Sequence, residues 1–119
     1  MPHSQELVTP LVAALRQAIP MEIRSAPPSG DALEGVLARP DLSRCYDVLV
    51  QQLGPPAKEF AQPAAFPKEI QRVVNDLGGI RPEQCLFLKQ AEDRRIVYAA
   101  LWPWASDPRR ITLKVGLYP

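Results

Sequence analysis

Apolar and polar positions alternate most clearly near the C-terminus. Between Arg110 and Tyr118, Ile111, Leu113, Val115 and Leu117 point one way and Thr112, Lys114, Gly116 and Tyr118 the other. That is the pattern of a half-buried strand. Residues 85–90 and 95–102 read as two further strands, with turn residues at Glu92-Asp93 and Ser106-Asp107-Pro108. Connections this short make the three strands an antiparallel meander. The middle strand differs from the last. Ile96, Tyr98, Ala100 and Trp102 share one face and Val97, Ala99 and Leu101 the other, so both faces are apolar. The first strand begins the same way, with Cys85 and Phe87 against Leu86 and Leu88. A strand apolar on both sides needs cover on both sides.

The pattern upstream has a helical period. Leu7, Val8, Leu11, Val12, Leu15 and Ile19 form one stripe that runs straight through Pro10. It predicts a helix over 4–19, bent at the proline and stopped by Pro20. Residues 21–25 alternate and suit a short strand. The Ala26-Pro27-Pro28-Ser29-Gly30 stretch reads as a loop. Asp31 and Glu34 have the spacing of a capping box, which predicts a short helix ending before Pro40. Leu42, Cys45, Tyr46, Leu49 and Leu53 make one face of a helix over 40–53, closed by Gly54 and Pro55-Pro56. Residues 57–65 show no period and read as a surface loop. Ile70, Val73, Val74 and Leu77 face inward on a helix over 67–77, and Gly78-Gly79 end it. Those glycines follow a helix, whereas an amide-lined phosphate site needs them before one.

The expected fold is therefore α+β in a single domain over 1–119. About four helices precede a three-stranded antiparallel meander, with 21–25 as a possible fourth strand and all helices on one sheet face. At 119 residues with 46% apolar content the chain can bury a core without a metal or a disulfide framework. Cys45 and Cys85 suit two buried free thiols better than a disulfide.

Charge excludes more than it suggests. The net charge is +1, which offers no global field for DNA or an anionic membrane. Residues 1–77 carry seven Lys/Arg and nine Asp/Glu, and 78–119 carry seven and four. That difference is too small to imply a polyanion partner, so a nucleic-acid role is not expected. The start of the chain has no basic leader region, and no apolar segment approaches the roughly 20 residues that span a bilayer. The expected setting is soluble and cytoplasmic.

Candidate chemistry is sparse. One histidine, His3, and two cysteines forty residues apart cannot make a zinc site, and no EF-hand loop occurs. No cofactor is expected. His3 is poorly placed to serve a nucleophile, and Cys45 on an apolar helix face is expected to be inert. No catalytic residue is assigned, and the chain reads more as a non-enzyme than as an enzyme. The Trp102-Pro103-Trp104 turn is the best binding candidate, with Arg109 and Arg110 beyond it for an anion. Core packing is the competing explanation for both indoles.

Two functional expectations result. The first is an interaction or self-association module, a homodimer or the partner of another protein, joined through Phe87, Val97, Ala99 and Leu101. Its alternative is a monomer that wraps its own sheet. The second is a small-ligand domain, or a weakly cued enzyme, with a pocket beside Trp102, Trp104, Arg109 and Arg110.

Overall fold

The computed structural model describes residues 3–63 and 65–118. Helix α1 (Ser4–Ala18) leads to strands β1 (Glu22–Ser25) and β2 (Leu33–Ala38). A 3-10 turn (Arg39–Asp41) opens α2 (Leu42–Leu53), and α3 (Lys68–Asp76) precedes β3 (Cys85–Gln90), β4 (Ile96–Pro103) and β5 (Arg110–Tyr118). The five strands form one sheet in the order β1-β2-β5-β4-β3, with every neighbouring pair antiparallel.

The meander is present as the alternation implies, and 21–25 supplies the additional strand β1. The helix expected after Asp31 is instead β2. Its six residues carry Gly35 and Val36, both unfavourable in a short helix. A helix that short is marginal on its own, whereas β2 gains ladders on both sides by sitting between β1 and β5. Asp31 accepts from the Ser29 hydroxyl at 2.6 Å in the preceding turn and caps no helix. Pro10 lies within α1, on its exposed side.

β5, the last strand in the chain, is the centre of the sheet. Its register aligns two sets of side chains. On the first face, Leu33 and Leu37 of β2, Ile111, Leu113 and Val115 of β5, Val97, Ala99 and Leu101 of β4, and Cys85 and Phe87 of β3 lie side by side. Val8, Leu11 and Leu15 of α1 and Cys45 and Leu49 of α2 complete this core, all fully buried.

The helices do not all share that face, as the pattern had suggested. α3 lies across the second face, where Tyr118 Oη donates to Asp76 Oδ2 and Val74 and Leu77 stand over Tyr98 and Ala100. Four inward positions along α3 sufficed to predict a helix, but only the strand register shows which side it covers.

The two sheet edges are protected differently. Lys58 pairs with Leu86 on the open side of β3 (Leu86 N–H to Lys58 O, 2.9 Å). The expected surface loop 57–65 thus begins with a buried, strand-like contact; residue 64 is outside the described residues. On the other edge, all four residues of β1 are exposed. β1 is short, and an irregularity between Ile23 and Ser25 limits how far its free edge can pair.

Candidate functional site

The second sheet face is closed in two pieces, and a cavity remains between them. α3 covers the Tyr98–Tyr118 end. The other end is covered by Trp104, which the turn after β4 folds back over β5. Its indole N–H donates to Thr112 Oγ1 at 2.8 Å, its backbone N–H to Arg110 O at 3.0 Å, and its ring lies 4.3 Å beneath the Arg110 guanidinium. Arg110 in turn donates to Glu22 Oε2 at 2.8 Å. These contacts leave Val36 and Thr112 buried although no helix lies over them.

The cavity measures about 220 Å³ and is walled by Val74, Leu77 and Ile80 above and Leu86, Tyr98, Ala100 and Trp102 below. Gly78 and Gly79, at φ +101° and +85°, turn the chain at its rim, where a side chain would meet open space. Lys114 is also among the lining residues. Although Glu34 is its cross-strand partner, the ammonium forms no ion pair among the described residues. The Trp102 indole N–H likewise makes no hydrogen bond among them. Burial, and secondarily the charge of Glu34, raises the Tyr98 hydroxyl above its ordinary pKa, so the phenol stays protonated at neutral pH.

Of the four residues expected to bind a ligand, only Trp102 lines this cavity. Trp104 is a structural cover. Arg109 and Arg110 line a separate cleft at the start of β5. The four expected interface residues, Phe87, Val97, Ala99 and Leu101, are 0% exposed beneath α1 and α2. The face they occupy is the internal core, and the partly open face is the opposite one. The residues missed from sequence were Lys114 and the α3 end. Lys114 on the polar side of β5 was the available signal, since that side faces the same way as Trp102.

Two further polar groupings resemble sites. Ser4, His3 and Asp93 meet, but Ser4 Oγ donates directly to Asp93 Oδ2 at 2.6 Å, and His3 Nδ1 is 4.0 Å from that oxygen on the exposed side. In a hydrolase triad the imidazole stands between the other two; here the carboxylate caps a helix. The second grouping is buried. Lys58 Nζ donates to Glu59 O at 2.8 Å, to Gln84 O at 2.6 Å and to Pro82 O. Tyr46 Oη donates to Glu59 Oε2 at 2.5 Å, and Cys85 Sγ lies 3.7 Å from Oε1. Burial, reinforced by Glu59, pushes the Cys85 thiol up to about 12, and burial alone does the same to Cys45. Neither thiol provides a thiolate near neutrality. Among the described residues no cluster of His, Cys, Asp and Glu has the arrangement of a metal site, and no helix is long and apolar enough to cross a membrane.

Compared with protein-family models, with curated proteins and with solved structures, the chain matches none.

Proposed function

We propose that the protein is a non-enzymatic binding module that holds a small anionic ligand with a flat apolar body in the cavity beneath α3. The observation that carries this reading is that Trp102 and Lys114, whose indole N–H and ammonium have no hydrogen-bond or ion-pair partner among the described residues, both line one apolar-walled space. Its volume of about 220 Å³ is below the roughly 300–1,000 Å³ of drug-sized pockets, so a single ring bearing a carboxylate suits it. The lining holds no carboxylate, histidine, serine or thiol, which favours binding over catalysis. Benzoate is a suitable probe. Saturable change in Trp102 fluorescence, lost in Trp102→Ala and weakened in Lys114→Gln, supports the reading. A folded protein whose Trp102 signal never saturates with small aromatic carboxylates refutes it.

Self-association is a second reading, at the β1 edge. Ile23 is the one exposed large hydrophobic residue among the described residues, at 39%. A two-fold antiparallel pairing of β1 with a second copy, centred on Ile23, sets Glu22 opposite Arg24 in both directions. The irregularity beside Ile23 keeps that pairing short, so the dimer would be weak. Light scattering across a concentration series, with Ile23→Lys as the monomeric control, tests it. A cytoplasmic setting belongs with either reading and is supported by the two free, buried thiols.

A further inference from the structure

The geometry points to a second, separate ligand site: an anion site for an organic phosphate monoester, in the cleft where β2 ends and β5 begins. Three arginines, Arg39, Arg109 and Arg110, are among the residues lining this cleft of about 720 Å³, and Asp107 is the one acidic residue among them. The strand register creates the crowding. Ala38 is opposite Arg110, and one step beyond the ladder the Arg39 N–H donates to Arg109 O at 2.8 Å. Arg39 and Arg109 are therefore cross-strand neighbours, and like charges in that relation are unfavourable unless something neutralises them. Asp107 pairs with Arg109, at 3.1 Å from Nε, and its charge also reaches Arg110. Glu22 answers Arg110 at 2.8 Å but is shared with Arg24 at 3.5 Å. Three guanidiniums, Arg24, Arg109 and Arg110, thus share two carboxylates at one end of the sheet, and Arg39 beside them forms no ion pair among the described residues, in a chain whose net charge is only +1.

The missing charge is that of a dianion, and a phosphate monoester carries close to two negative charges at neutral pH. Forked guanidinium donors match phosphate oxygens in pairs, which a lysine cluster would not do. The floor supplies the second half of the specificity. Ala38 and Pro40 are its exposed apolar residues and accept the organic part of the ester. Arg110 is held in place from the side by the Trp104 ring at 4.3 Å, so one of the three forks is already ordered before the ligand arrives. This site shares no lining residue with the cavity beneath α3.

The test is a titration of the whole protein with phenyl phosphate, followed by amide NMR. Saturable shifts are expected at residues 36–40 and 107–110 and at the Trp104 indole, with the Trp102 indole unmoved. Inorganic phosphate is expected to bind the same residues more weakly. Arg39→Gln and Arg109→Gln should each weaken phenyl phosphate by roughly tenfold, as loss of a charge-assisted pair implies. Asp107→Asn keeps the side-chain oxygen that accepts the Arg109 amide at 3.2 Å while removing its charge, and should tighten binding by about threefold. Equal affinity in wild type and Arg39→Gln, weaker binding in Asp107→Asn, or shifts scattered over the whole surface would overturn the site. Equal affinity for phenyl and inorganic phosphate would overturn the organic ester as its ligand. All three substitutions are at surface side chains, and unchanged melting confirms that binding, not folding, was altered.

Discussion

The hydroxyl of Tyr98 lies 2.6 Å from where a β-carbon on Gly116 would stand, and the ring carbon bearing it lies at 2.9 Å. The two residues are cross-strand partners on the second sheet face. With no side chain at 116, the phenol can lie flat across β5 and form the cavity floor. Gly116→Ala removes that room, and the ring must swing toward α3. The substitution is expected to destabilise the fold by about 1–3 kcal/mol, the usual cost of overpacking. It should also shrink the cavity and abolish the benzoate response of Trp102. Urea unfolding and the fluorescence titration read the two effects separately.

Lys58 is only 4% exposed and its ammonium is bound by backbone carbonyls, with no carboxylate among its three partners. Burial lowers its pKa below the ordinary lysine value. It ties the chain ahead of α3 to the segment entering β3. Lys58→Met preserves the stem and strands three acceptors. A loss of about 2–4 kcal/mol is expected from unsatisfied buried carbonyls, measured by urea denaturation. A neutral result would show that water replaces the ammonium there.

Asp93 caps α1 from the turn between β3 and β4, accepting from both the hydroxyl and the backbone N–H of Ser4. The Ser4 hydroxyl, aided by the Arg95 and Ser4 amides and by His3, holds its carboxyl below the ordinary value despite some desolvation. A depressed folded-state pKa contributes stability above the unfolded value, about 3.9 for aspartate. That contribution is lost as pH falls from there through the folded value. Asp93→Asn should therefore lower the melting temperature at pH 7 and flatten the acid limb of the stability curve. Melts from pH 7 to 2 check both.

Both thiols are expected to resist labelling in the folded state. Cys45 and Cys85 are fully buried, and each is raised to about 12 by burial first. Iodoacetamide at pH 8 should modify neither in native protein and both in urea. Fast native labelling of Cys85 would mean that the segment around Glu59 opens readily.

Arg94 holds a left-handed conformation at φ +69° in the same β3–β4 turn. Glycine adopts that region without the β-carbon clash. Arg94→Gly is expected to stabilise the protein by about 0.5–1 kcal/mol, read as an increased urea midpoint at unchanged slope.

What the linear pattern determined was local. The three C-terminal strands, the 15-residue α1 with its internal proline, and the caps at Gly54 and Gly78 follow from periodicity and turn chemistry that neighbours along the chain control. The two-sided apolar character of β4 was also legible, and with it the need for cover on both faces. Which cover each face receives was not, because hydrophobicity has no direction until strands pair. Pairing set Val97, Ala99 and Leu101 under α1 and α2, and left Trp102 on the side that α3 only partly closes. The same register turned a segment with a helix-start signal into β2, since two ladders outweigh a cap, and brought Arg39 beside Arg109, seventy residues away. Long-range backbone hydrogen bonding decided where the charges and indoles meet, and no local signal encodes it.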